Sequence, residues 1–245
     1  MPVRYQPAAA LAAALTIGVL SACGGGGKPQ QPTSPRGSSS TTTAAVAEIP
    51  GLDELEKAVA ALSADESLGK AGTALSSARS DLSKSLSALR DAIDAAQAQR
   101  KLNRWDCSAL DAKRAAAWQV REQISGNLAD VDAAADKLTS ALSAFTGKYD
   151  DLTTAYDKVK AAADKLSPGQ VPAQRMESAA TAISAMAAQT TGAKGSLSSA
   201  KETLTDVPAS ADKQYGQART FVTQCSNHWA RIAELKARQK ANSRG

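Results

Sequence analysis

Two cysteines and the only histidine of the chain are the residues whose types and spacing could support chemistry. Cys225 and His228 are three residues apart, which places a thiol and an imidazole on one face of a helix, and Asp106 precedes Cys107. Zinc accepts ligands of these types. A single histidine leaves the usual ligand pairs incomplete, however, so the sequence predicts no metal and no cofactor.

Other catalytic arrangements are missing from the sequence. No Cys-x-x-Cys pair supports thiol redox chemistry, and no Gly-x-Ser-x-Gly turn accompanies the one possible histidine base. The sequence therefore predicts a protein that is not an enzyme.

A third cysteine, Cys23, ends a segment with the features of an export signal. Arg4 gives a positive start, residues 8–20 are apolar and uncharged, and small residues follow. Leu20-Ser21-Ala22-Cys23 resembles the lipobox of bacterial lipoproteins, and the resemblance covers only the signal and its cleavage site. It implies removal of residues 1–22, lipid on Cys23, and a location on the outer side of the cell membrane or on the outer membrane.

The chain after Cys23 divides into a tether and a helical domain. Residues 23–49 are rich in Gly, Pro, Ser and Thr, a composition that cannot bury a core and is typical of a flexible tether. Residues 50–245 are rich in Ala, Ser, Leu and Lys, which favours helix. Without Arg4 the balance is 28 basic to 24 acidic residues, or +4, which is too mild to indicate nucleic acid as a partner.

A heptad pattern is the strongest structural signal in residues 50–245. Apolar residues recur in alternating steps of four and three, a spacing that keeps one stripe on one face of a helix wound around partners. The stripe consists of Ile124, Leu128, Val131, Ala135, Leu138, Leu142, Phe145, Tyr149, Leu152, Tyr156, Val159, Ala163 and Leu166.

Three long helices follow from these stripes and from the turn signals between them. We expect helices over about 51–101, 105–166 and 172–240, with a break or loosened turn in the region from Ser63 to Gly72 and a kink or short break at Pro208. Ser63 and Glu66 have the spacing of a capping box. Short connections require the helices to alternate in direction, so the sequence predicts an all-α fold, an elongated antiparallel three-helix bundle with coiled-coil heptads. Continuous stripes also allow association with a second copy.

The bundle geometry predicts a disulfide between Cys107 and Cys225. Both lie on apolar stripes, 62 residues before and 56 residues after a turn centred near residue 169. The mismatch of six residues corresponds to ~9 Å of helix rise. An exported protein also meets an oxidising compartment, where such bonds persist.

Basic residues and all three tryptophans collect at the end of the bundle that is farthest from the tether. We call this the basic end, and its predicted partner-binding residues are Arg100, Lys101, Arg104, Trp105, Arg114, Arg121, Trp229 and Arg231. On one interpretation the tryptophans seal the bundle around the disulfide and the charges keep it soluble. On the other, the basic end docks on an acidic envelope protein, an anionic cell-wall polymer or an opposing membrane.

The leading functional hypothesis is a membrane-anchored lipoprotein of the cell envelope that acts as a spacer or interaction module. The alternative is an extracytoplasmic lipoprotein that binds a ligand along a groove of the bundle.

Overall fold

The fold is all-α. The computed structural model describes residues 47–167 and 170–243, and within these ranges it contains helices and no strands. The helices are α1 (Leu52–Ser63), α2 (Ser67–Asn103), α3 (Cys107–Ala163) and α4 (Ala173–Asn242). The predicted signal, Cys23 and nearly all of the tether lie outside the described residues.

The first predicted helix is divided into α1 and α2 by a turn at residues 64–66. The Asp65 carboxylate accepts a hydrogen bond of 3.0 Å from the backbone N–H of Ser67 at the start of α2. The predicted capping box of Ser63 and Glu66 is wrong, because Ser63 is the last residue of α1 and Glu66 makes no side-chain cap. Asp65 satisfies this helix start instead.

The start of α3 is set by Asp106, whose carboxylate accepts a hydrogen bond of 3.0 Å from the backbone N–H of Ala109. This cap satisfies one of the first free N–H groups of the helix and explains why α3 begins at Cys107. The side chain of Asn103 accepts from the backbone N–H of Trp105 at 3.2 Å. These two bonds shape the short connection between α2 and α3.

Helix α4 continues through Pro208, so the short break expected there is absent. Proline removes one intrahelical hydrogen bond, at a cost of ~3 kcal/mol in a helix interior. Buried residues on both sides of it, Ala200 and Ala211, hold the helix against its neighbours and offset this cost.

Hydrogen bonds between the helices define their directions. Asn127 of α3 donates to Ser85 of α2 at 2.7 Å, and Lys148 further along α3 donates to Asp65 just before α2, so α2 and α3 are antiparallel. Arg79 of α2 bonds to Ser199 of α4, and Arg100 further along α2 bonds to Gln224 further along α4, so these two helices run in the same direction. Helix α3 is therefore antiparallel to both α2 and α4.

The core consists of the predicted stripes. On α3 the buried apolar residues recur at heptad spacing, and equivalent leucines of α2 are at most 1% exposed. The heptad-spaced core residues of α3 and α2 are Leu110, Ala117, Ile124, Val131, Leu138, Phe145, Leu152 and Val159, with Leu75, Leu82 and Leu89.

Candidate interaction site at the basic end

The basic end is formed by the last turn of α2, the first turn of α3 and the last third of α4. The structure brings six of the eight predicted residues close to this junction, namely Arg100, Lys101, Arg104, Trp105, Trp229 and Arg231. Arg114 and Arg121 lie two and four turns further along α3, ~10 and ~20 Å from its start.

A disulfide joins Cys107 to Cys225, as the sequence predicts. The two Cα atoms are 5.5 Å apart, and the Cys225 side chain is fully buried. The bond fixes the first residue of α3 to α4, at the level where α2 ends and α3 begins.

Trp105 is the centre of an aromatic cluster next to this disulfide. Its ring stacks on the His228 imidazole with centroids 3.5 Å apart and an interplanar angle of 14°. The Arg104 guanidinium lies 4.6 Å from the centroid of the same ring. The Trp229 indole N–H donates a 2.8 Å hydrogen bond to the Trp105 carbonyl. These contacts hold the connection between α2 and α3 against α4.

His228 is therefore part of an aromatic stack, although its spacing from Cys225 matches a metal ligand pair. The sulfur that would complete such a pair is bonded to Cys107. Among the described residues, no group of three or more His, Cys, Asp or Glu side chains is arranged to hold a metal ion.

Arg100 packs against α4 and still reaches solvent. Its guanidinium lies 4.8 Å from the centroid of the Phe221 ring and donates to the Gln224 side-chain oxygen at 2.9 Å. Phe221 is not found from the sequence, because the heptad stripe expected on the third helix passes through Ala218, Val222 and Cys225. Helix α4 contacts both α2 and α3, so it needs a second buried stripe beside the first, and the burial of Phe221 is the result.

Arg114 and Arg121 form ion pairs within the protein. Arg114 binds Asp111 at 2.7 Å and the Tyr215 hydroxyl at 3.3 Å, and the hydrogen bond to Asp111 is the main reason that its pKa is raised. Arg121 bridges Asp212 and Glu122 at 2.9 and 2.8 Å, and its pKa is raised mainly by the bond to Asp212. Their charges are therefore largely balanced, unlike those at the junction.

The last part of α4 extends past the partners of the helix. Residues 230–242 follow Trp229, and all but Ile232 in this range are exposed. Four lysine or arginine residues and one glutamate lie in this segment, which we call the α4 extension. At 1.5 Å per residue it is ~20 Å long.

The opposite end of the helices receives the chain from the tether. The Ala47 backbone N–H donates to the Gln170 carbonyl at 3.0 Å, and Ile49 is buried. Arg175 at the start of α4 binds both Asp53 and Glu56 of α1. Its hydrogen bonds lower the pKa of both carboxyl groups.

A groove of about 700 Å³ lies between α1 and α3 near this same end. Its floor is apolar and its rim carries charges of both signs. The lining includes Leu55, Leu62, Ala155 and Val159 with Glu54, Lys148, Asp151 and Lys158.

Comparisons with protein-family models, with curated proteins and with solved structures gave no match for this chain. No helix in the described ranges is long and apolar enough to cross a membrane.

Proposed function

We propose that this protein is a lipid-anchored lipoprotein of the cell envelope that works without catalysis, as a spacer and interaction module. The anchor is Cys23, on the evidence of the lipobox-like Leu20-Ser21-Ala22-Cys23. Lipid chains contribute ~0.8 kcal/mol per buried CH₂, so a doubly or triply acylated cysteine holds the chain firmly on a membrane. Residues 23–49 then act as the flexible tether.

We describe the helical part as an elongated antiparallel three-helix bundle with coiled-coil heptads. The heptad-spaced burial along α3 and the antiparallel pairing of α3 with α2 and α4 support this description. Helix α3 has 57 residues and is ~85 Å long, a length suited to a spacer.

One observation carries the functional proposal: the tether enters at one end of α3, and the unbalanced basic and aromatic residues lie at the other. Residues 47–51 lie near the C-terminal end of α3, where Ala47 bonds to Gln170 and Gly51 adjoins Val159, whereas Trp105 and the disulfide lie at its N-terminal end. Lipid on Cys23 would therefore leave the basic end free to meet an acidic partner at a distance from the anchor.

The anchor is tested by treating producing cells with globomycin, which blocks signal cleavage of lipoproteins. We expect the precursor to accumulate, and Cys23→Ser should leave the same uncleaved chain without lipid. Normal processing in the presence of globomycin would refute lipidation.

The interaction role is tested by photo-crosslinking in cells. A photoreactive residue at Arg231, which is exposed in the α4 extension, should give a discrete crosslinked product. The matched probe is Lys57, which is exposed on α1 at the tether end. Equal labelling at both positions, or none at Arg231, would argue against a docking role for the basic end.

The groove between α1 and α3 supports a second candidate function, an extracytoplasmic lipoprotein that binds a small apolar ligand. Its volume is in the usual range of ligand sites, and its rim is polar. Ala155→Trp should fill the groove and abolish binding of an uncharged apolar dye such as Nile red. Ala133→Trp places the same side chain at an exposed position of α3 and should not change the binding.

A further inference from the structure

We infer that the α4 extension is a membrane-docking element, and that the partner of the basic end is the surface of an anionic phospholipid bilayer. This inference rests on the proposed interaction role and names its partner. The observations that carry it are the exposed apolar side chains at this end, the shared side of the helix for those on α4, and the surrounding charge.

Exposed large apolar side chains are concentrated at the basic end. Leu102 on the last turn of α2 is 84% exposed, Leu235 is 52% exposed and Trp229 is 49% exposed. The fourth such residue in the described part of the chain is Trp118, on α3. Exposed apolar side chains can mark surfaces that meet a protein or a membrane, and the surrounding positive charge favours an anionic lipid surface here.

Trp229 and two residues of the α4 extension form an apolar stripe on one side of the helix, which also carries Lys236 and Gln239. Trp229, Ile232 and Leu235 follow one another at intervals of three, and at 100° per residue they cover one third of the helix circumference. Ala237 lies ~160° around the helix from Leu235, on the opposite face. Because α2 ends and α3 begins at this level, the apolar face is only partly covered. Trp229 contacts Trp105 and Ile232 is half-buried, whereas Leu235 is exposed.

The charges around this face are those that an anionic bilayer attracts. They comprise Arg231, Lys236, Arg238 and Lys240 on the extension, with Arg100, Lys101 and Arg104 at the end of α2. The single acidic residue of the extension, Glu234, is paired with Arg238. Arg231 and Arg238 lie ~100° or more around the helix from Ile232, whereas Lys236 lies on the apolar side, from where its ammonium group can extend to the headgroups. Helices that combine basic residues with Trp and Leu bind at the boundary between lipid headgroups and acyl chains.

The apolar face lies on the side of α4, so it reaches the acyl boundary when the helix axis tilts toward the bilayer. Trp229 is suited to this position because an indole combines an apolar ring with a polar N–H group. The extension projects from helices held together by the disulfide, so docking requires little folding of its own.

Tryptophan fluorescence offers a measurement confined to this end, because the three tryptophans of the chain, Trp105, Trp118 and Trp229, all lie on this side of the bundle. The full chain with Cys23→Ser is mixed with vesicles of brominated phosphatidylglycerol and phosphatidylcholine. Bromine quenches only nearby tryptophans, so membrane binding by residues 1–46 leaves the signal unchanged. We expect quenching with these vesicles and little with phosphatidylcholine alone.

Two substitutions with the same charge change test the face. Leu235→Asp should weaken the quenching titration by at least about tenfold, because it removes a leucine from the lipid boundary and adds a charge there. Ala237→Asp changes the net charge equally and should cost about fivefold or less, the contribution of one charge near the surface. Trp229→Phe should remove most of the quenching, while Trp118→Phe should retain it. Circular dichroism establishes that each variant keeps its helix content.

Equal effects of Leu235→Asp and Ala237→Asp would overturn the inference, as would the absence of quenching with anionic vesicles. Quenching that persists undiminished between about 0.1 and 1 M salt, where the Debye length falls from ~10 to ~3 Å, would also contradict it. The crosslinking experiment separates the two proposals. No quenching together with a protein crosslink at Arg231 refutes the lipid partner alone, while failure of both measurements refutes the interaction role itself.

Discussion

Reduction of the disulfide should lower the free energy of unfolding by about 5 kcal/mol. Cys107 and Cys225 are separated by 118 residues, and the loss of loop-closure entropy in the unfolded chain scales with the logarithm of that separation. For a domain of this size each kcal/mol changes Tm by ~2–4 °C, so reduction should lower Tm by about 10–20 °C.

The cleanest comparison is the wild-type chain with and without reducing agent, followed by circular dichroism during urea unfolding. Both sulfur atoms then remain in place, whereas Cys225→Ala also removes volume from a fully buried site. The unacylated chain should contain one titratable thiol, Cys23, before reduction and three afterwards.

A fall of less than about 1 kcal/mol on reduction would refute this reasoning, because the unfolded chain would then not be constrained by the bond as the loop length requires. Three thiols without reductant would refute the disulfide itself.

Three further predictions concern single residues. Phe145→Ala should lower the free energy of unfolding by about 3–5 kcal/mol in urea titrations, because the ring is 1% exposed in the core; a loss below 1 kcal/mol would contradict that packing. Gly51→Ala should lower the free energy of unfolding by about 1–2 kcal/mol in the same assay, because the φ of 84° at this position is left-handed and strains any residue with a Cβ. The nearest side-chain atom, on Val159, would be 3.6 Å from the new Cβ, so the cost would come from backbone strain and not from a clash. The hydrogen bond from Lys148 is the main reason that the pKa of Asp65 lies well below its usual value. The ionised carboxylate therefore stabilises the fold above the unfolded-state pKa of about 3.9, and this contribution is lost as the pH falls through the folded-state pKa. Wild type should therefore exceed Asp65→Asn in stability near neutral pH, and the difference should shrink below about pH 4; a constant difference would contradict the linkage.

The sequence predicts the helical fold and the core well because both depend on local periodicity. Ile124, Val131 and Leu138 are spaced by seven residues, and each is at most 1% exposed. The disulfide follows from the same pattern, since two cysteines on facing stripes need only the turn between them to be located. Their pairing centres on residue 166, the mean of 107 and 225, against the expected 169.

The candidate site was predicted less completely because side-chain contacts depend on register. An uncertainty of six residues is ~9 Å along a helix, which is more than the length of a hydrogen bond. The ion pair between Arg121 and Asp212 cannot be located within that uncertainty, so the sequence places Arg121 among the predicted partner-binding residues of the basic end. Ser63 and Glu66 illustrate a different limit, because Asp65 competes for the same free N–H groups. The lipid anchor on Cys23 stays a prediction.

The position of the disulfide has a consequence for local unfolding. At the tether end, α3 and α4 are joined by a short connection, and Arg175 ties α4 to α1. At the basic end, α2 is connected to α3 through residues 104–106, but α4 has no chain connection to either helix, so its C-terminal part is the natural place for local opening. The bond to Cys225 ties α4 to the start of α3 at this level. Reduction should therefore accelerate amide hydrogen exchange first in residues 211–229 of α4, well before exchange increases around Val131 in the middle of α3. Uniform acceleration along all the helices would mean that the protein opens as a single unit, and that the disulfide protects the basic end no more than any other part.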